Sequence, residues 1–315
     1  MNNFYHKYHT IRLIPLLLLT LISFFLTGCD KFIVLQSKGA IGKEESNLII
    51  IAFLLMLIVV IPVIVLTFWF LFKYKAGNKK SKYTPDWSGS TRIEWFIWAV
   101  PLGIVLILSY LTWTKTSQLD PYKPIEHAND PVQVEVISLD WKWLFIYPEY
   151  DIATVNQLVF PENTPLEFRL TSASVMTSFF IPQLGSQMYA MAGMETHLNL
   201  IASDTATLTG QNQEFSGVGY ESMFFEAKSV TTDEFKAWVK KVQQSPLKLD
   251  LKTFKNLEKP SDNSSVKLFS EVEPDLFNQL IKKFMKNEKM KPPDNGSDNA
   301  IEVKNSSNNR SYLNK

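Results

Sequence analysis

The chain has one cysteine, Cys29, among its 315 residues, and only four histidines. A single thiol excludes an internal disulfide framework and a cluster of cysteine thiolates around a metal. Charge of one sign is also missing. Lys plus Arg number 32 against 31 Asp plus Glu, a formal charge of +1, so composition offers no case for a nucleic-acid partner. There is no serine elbow, no cysteine nucleophile and no histidine pair at metal-ligand spacing, which removes the common hydrolase arrangements. No internal repeat is visible.

What is present is apolar sequence, 46% of residues against 20% charged, gathered into three blocks within the first 114 residues. The first block follows Lys7 and Arg12 and runs through residues 13–26 to Thr27, Gly28 and Cys29. A basic start, a short apolar core and small residues at the end are the anatomy of a signal peptide. Cys29 at the cut resembles the lipobox of bacterial lipoproteins, which implies cleavage before it and acylation of its thiol and new amino end. Residues 1–28 then leave with His6 and His9, and the mature chain keeps His127 and His197 but no free thiol.

Residues 47–72 and 95–114 carry no charge. At helical rise they extend about 39 and about 30 Å, enough to cross a hydrocarbon core of about 30 Å. Pro62 and Pro101 interrupt them, which a bilayer tolerates where neighbouring groups satisfy the freed carbonyls. The intervening loop holds Lys73, Lys75, Lys79, Lys80, Lys82 and Arg92 against Asp86 alone. The positive-inside rule places that loop in the cytoplasm and both outer ends in the periplasm.

Val132, Val134 and Val136 alternate with polar neighbours, as do Leu166, Phe168 and Leu170, and Leu198 and Leu200. Short alternating runs bounded by turn residues predict an all-β sandwich. Thr231 and Glu234 form a capping-box pattern ahead of Phe235, Trp238, Val239 and Val242, which predicts a closing helix. The expected order is a signal peptide (1–28), a periplasmic N-terminus (29–46), two membrane helices (47–72 and 93–114) around a cytoplasmic loop (73–92), a sandwich with its terminal helix (115–245), and a polar tail (246–315). The tail holds one amphipathic helix started by Pro274, and past Pro292 and Pro293 it has too little apolar area to order.

The aromatic run Asp140-Trp141-Lys142-Trp143 with Phe145, Tyr147 and Pro148, the stretch Val175-Met176-Thr177-Ser178-Phe179-Phe180, and Gly217-Val218-Gly219-Tyr220-Glu221-Ser222-Met223 together resemble subunit II of the haem-copper respiratory oxidases. In its cytochrome c-oxidising members that resemblance implies two membrane helices and a periplasmic cupredoxin domain with a two-copper site. Their pattern is Val-x-His-Ser-aromatic, then Cys-x3-Cys-x3-His-x2-Met. Carried over position by position, the first histidine falls on Thr177, the cysteines on Asn212 and Ser216, the second histidine on Tyr220 and the methionine on Met223. Only Met223 matches, and asparagine and serine cannot supply the soft, deprotonated sulfur that bridges two coppers.

With Ser-Phe-Phe-Ile-Pro-Gln-Leu-Gly-Ser-Gln at 178–187 and Tyr-Ala-Met-Ala-Gly-Met at 189–194, the chain resembles subunit II of the cytochrome bo-type ubiquinol oxidases over nearly its whole length. The resemblance implies a two-helix hairpin, a cupredoxin-like sandwich and a partly helical tail. It also implies a proton-pumping ubiquinol oxidase of the bacterial inner membrane, whose haem and copper lie in subunit I alongside smaller membrane subunits, membrane lipids and ubiquinol. No catalytic, cofactor or metal residue is then expected on this chain, and Cys29 carries lipid. Trp141 stands where copper-bearing relatives place an aromatic between copper and haem, and interface bulk is its simpler reading. An active copper carrier or a lipoprotein scaffold without a respiratory partner are the competing readings.

Overall fold

The computed structural model describes residues 32–75, 78, 84, 86–261 and 265–290, the last four by their backbone alone. The predicted lipobox at Cys29, Lys79, Lys80 and Lys82 of the basic loop, and the end of the tail lie outside these residues.

Two long helices come first, α1 (Ala40–Lys73) and α2 (Thr91–Gln118). Both are long and apolar enough to cross a membrane, and each extends beyond the uncharged stretch that marks it in the sequence. Pro62 and Pro101 sit inside them. Their apolar side chains, such as Phe53, Ile64, Trp98 and Leu106, are exposed, as a surface made for lipid or for other helices requires.

The remainder is a two-sheet sandwich. Its strands are β1 (Val132–Leu139), β2 (Lys142–Tyr147), β3 (Ile152–Val155), β4 (Gln157–Pro161), β5 (Pro165–Ser172), β6 (Thr177–Ile181), β7 (Gly185–Ala190), β8 (Thr196–Ile201), β9 (Ala206–Asn212), β10 (Phe224–Val230) and β11 (Lys267–Phe269). One sheet runs β11-β3-β2-β1-β5-β8 and the other β4-β10-β9-β6-β7. All pairs are antiparallel except β1 with β5 and β4 with β10. Between the sheets, Trp143, Phe145, Phe168, Phe179 and Phe225 meet, Phe179 stacking on Phe225 with ring centres 5.1 Å apart. Tyr147 ties the layers together: its hydroxyl donates to Val159 O at 2.9 Å and accepts from Val159 N at 3.0 Å. Burial pushes that phenol well above its ordinary range.

The predicted closing helix is α3 (Thr232–Gln243), and its capping box forms as expected. The chain beyond α3 is more structured than a polar tail. The short helix α4 (Leu251–Leu257) and helix α5 (Leu276–Met290) cover the outer face of the six-stranded sheet, to which β11 adds an edge strand. There Phe254, Leu257, Phe269, Phe277 and Leu280 bury Ile137, Leu139, Leu144 and Ile146 in a second core. Lys142, only 2% exposed, holds this layer by donating to Lys259 O at 2.8 Å and Ser261 Oγ at 2.7 Å.

A charge cluster fastens α5. Arg169 donates to Glu135 at 2.7 Å, to both oxygens of Glu195 at 2.7 and 3.0 Å, and to Asn278 Oδ1 of α5 at 3.1 Å, with its guanidinium over the Phe277 ring. The Arg169 hydrogen bond holds the Glu195 carboxyl below its usual 4.5, whereas burial raises that of Glu135. The Glu195 contribution is therefore present above pH 4.5 and lost as pH falls through its lowered value; that of Glu135 has the opposite sign. The melting-temperature gap between the natural chain and Glu195→Gln should narrow as pH falls below 4.5. A gap that stays constant through that range would show that the Arg169–Glu195 pair does not stabilise the folded chain.

Candidate functional site

At one end of the sandwich the loop between β9 and β10 meets the start of β6, and four of the five copper-equivalent positions lie in this loop or at its ends. Asn212 ends β9 and is buried. Its Oδ1 accepts from Ser178 N at 2.8 Å and Glu214 N at 3.0 Å, and its Nδ2 donates to Glu214 O at 2.8 Å and Ser216 Oγ at 3.1 Å. An asparagine side chain has two donor hydrogens and two acceptor lone pairs, so its capacity is used in full. Asn212 and Ser216, the two positions of bridging cysteines in the copper pattern, are thus joined by a direct hydrogen bond.

Thr177 begins β6 and is buried. Its hydroxyl donates across the sandwich to Ser138 Oγ of β1 at 2.7 Å. Tyr220 stands in a one-turn 3-10 helix with its ring 5.8 Å from that of Phe215. Met223 is 1% exposed and packs into the inter-sheet core, while its carbonyl accepts from Asn212 N at 3.3 Å. The structure thus brings Asn212, Ser216 and Met223 together through hydrogen bonds, seats Thr177 beside them through Ser178, and places Tyr220 on the loop's aromatic flank.

The residues do not fit a copper pair. The side-chain atoms available are a carboxamide, hydroxyls and one thioether, all hard donors except the last, and the carboxamide and the Thr177 hydroxyl are engaged as described. Three buried side-chain polar atoms among the described residues lack a hydrogen-bond partner, Trp143 Nε1, Ser229 Oγ and Trp238 Nε1, and none belongs to the five positions. His197 lies on β8 against Glu195 at 3.3 Å, and His127 accepts from Asn129 N at 3.2 Å.

Sequence reading missed how Trp141 is held. Asp140 and Trp141 form the two-residue turn between β1 and β2, and Trp141 adopts φ of 63°, a left-handed conformation that costs a bulky residue about 1–3 kcal/mol. Its indole donates to Ser216 O at 3.0 Å. Gly217, at φ of 104°, passes so close that an added Cβ would lie 3.4 Å from Trp141 Cζ2. Trp141 is therefore a strut under the loop. Phe215 and Val218 point outward, 76% and 90% exposed.

The cytochrome c oxidase subunit II periplasmic-domain family matches residues 149–230, and the COX aromatic-rich motif matches residues 243–288. The latter coincides with the layer over the six-stranded sheet. A cytochrome bo(3) ubiquinol oxidase subunit 2 from Pseudomonas putida is 49% identical over 259 residues, covering 82% of each chain. A ubiquinol oxidase subunit 2 from Acetobacter aceti is 46% identical over 261 residues, covering 82% of this chain and 84% of that one. A quinol oxidase subunit 2 from Bacillus spizizenii is 37% identical over 253 residues, covering 79% and 78%.

Proposed function

Because the chain belongs to the ubiquinol oxidase subunit 2 family, and is thereby a membrane protein and a component of an oxidoreductase complex, we propose that it serves that complex as a metal-free structural and assembly subunit. Ubiquinol oxidation, oxygen reduction at haem and copper, and proton pumping then belong to subunit I. The observation that carries this reading is Asn212, whose four side-chain hydrogen bonds close the loop where a copper-bearing relative needs a thiolate.

The substrate explains the loss. A water-soluble electron donor needs an acceptor on the aqueous side, whereas a lipid-soluble quinol reaches membrane-embedded subunits directly. What remains useful is a rigid cap, presented by Phe215 and Val218 at its tip and carried by two spanning helices. The loop with Lys73, Lys75, Lys79, Lys80, Lys82 and Arg92 lies on the cytoplasmic side of the bacterial inner membrane and the sandwich lies in the periplasm. Cys29 bears acyl chains that add to an anchorage the helices already provide.

Purification through a tag on this chain under mild detergent tests the reading. The expected preparation contains a haem-bearing partner with many spans, consumes oxygen when given ubiquinol, and yields copper with the partner when the subunits are separated. Copper in one-to-one or higher ratio on this chain, or recovery of the chain without a haem partner, would overturn it.

A further inference from the structure

Where α1 and α2 approach the sandwich they flank an open cleft of about 320 Å³, at the lower end of the volumes that hold small ligands. Its floor is apolar: Leu48 and Ala52 of α1, Leu108 and Leu111 of α2. Its rim is polar, formed by Glu45, Lys115 and Ser186. Ser186 Oγ donates to Glu45 Oε1 at 2.6 Å, and Lys115 Nζ donates to Glu44 Oε2 at 2.9 Å. These charges mark the outer ends of both uncharged stretches, since Glu44 and Glu45 precede the first and Lys115 follows the second. The rim therefore sits at headgroup height and the floor in the hydrocarbon.

Two features say what fits. Ser186, at the start of β7, roofs the cleft, so an occupant must end at headgroup height, whereas a partner's spanning helix would continue past it. The rim also places a cation beside two carboxylates. An ammonium has three donors, of which Glu44 takes one, leaving two for a phosphate; the carboxylates favour a second, positive group next to it. A purely anionic headgroup would meet net negative charge there.

We propose that this cleft binds one zwitterionic phospholipid with a primary ammonium headgroup, its phosphate on Lys115, its ammonium against Glu45 and one acyl chain along Leu48, Ala52, Leu108 and Leu111. The lipid wedges the helix pair beneath the sandwich.

The test uses the whole complex, delipidated in detergent and re-supplied with either phosphatidylethanolamine or phosphatidylglycerol, followed by native mass spectrometry of the released subunit. One phosphatidylethanolamine should remain on the natural chain, retained about tenfold over phosphatidylglycerol. Glu45→Gln should erase that preference, whereas Lys115→Gln should weaken retention of both lipids. Ala52→Phe, which fills the floor and leaves the rim intact, should abolish retention while haem content stays unchanged. Equal retention of both lipids, a quinol mass in place of phospholipid, no adduct on the natural chain, or full retention by Ala52→Phe would each overturn the proposal.

Discussion

Asn212→Ala should cost the sandwich about 2–4 kcal/mol, because it takes the acceptor from two backbone N–H groups and removes two further hydrogen bonds. Ser178 N and Glu214 N both point at Asn212 Oδ1, and residue 212 is only 5% exposed, so water does not replace the lost acceptor. The loop beyond it loses its closure onto Ser216, and the Trp141 strut, which depends on Ser216 O, loosens with it. Two measurements check this in the assembled complex: the tryptophan-fluorescence melting temperature, which should fall, and cleavage after the exposed Phe215 by an aromatic-specific protease, which should quicken at least about tenfold. Asn212→Asp keeps both acceptor bonds and loses both donor bonds, so its defect should be smaller. If alanine is tolerated with unchanged melting and cleavage, the loop is held by something other than this side chain, and the reading of the site as a hydrogen-bonded replacement for metal fails.

The contrast between Asn212 and its surroundings also shows how far the amino-acid sequence can be read. That position 212 holds an asparagine where a thiolate would be required is visible without coordinates, and so is the inability to bind copper. That the asparagine uses all four of its hydrogen bonds is not, because its partners come from β6, from two residues ahead and from the loop, which no local pattern links. Alternation at Val132, Val134 and Val136 predicted one buried face of β1. The next residues break that alternation: Ile137 and Leu139 are buried on the opposite face, and all six residues of β2 are buried. A run buried throughout means a sheet covered on both sides, so the density of large apolar residues from 143 to 147 already implied a second layer. The layer itself was hidden because its anchors are Lys142 and Arg169, whose types suggest surface, and because α4 and β11 are too short to show a period. Trp141 was hidden for another reason. Its left-handed backbone opposes its intrinsic preference, and its indole hydrogen bond goes to a residue 75 positions away in sequence.

Replacing Gly39 by valine should uncouple the helix pair from the sandwich. Gly39 bridges to Ala202 beyond β8, and a Cβ at that position would stand 2.5 Å from Ile201 O, against backbone that cannot move aside without opening the sheet. The same joint is tightened by Lys38 N donating to Gln183 O at 2.7 Å and Gly42 N to Leu184 O at 2.9 Å. On the facing side Gly185 adopts φ of 136° with its missing Cβ aimed at Ile41, 2.6 Å away. Three glycines thus let a helix end and a sheet edge touch backbone to backbone, and a branched side chain at Gly39 costs at least about 3 kcal/mol through overpacking and lost hydrogen bonds. Since α1 meets the sandwich through this contact and the Glu45–Ser186 bond, the cap would no longer be fixed in orientation over the membrane. The expected result is a chain that still inserts and still contains a folded sandwich, but that is recovered with less of its haem partner and is cut by protease near residue 37. Equal haem recovery from Gly39→Val and the natural chain would show that a rigid joint between helices and sandwich is not what the complex requires of this subunit.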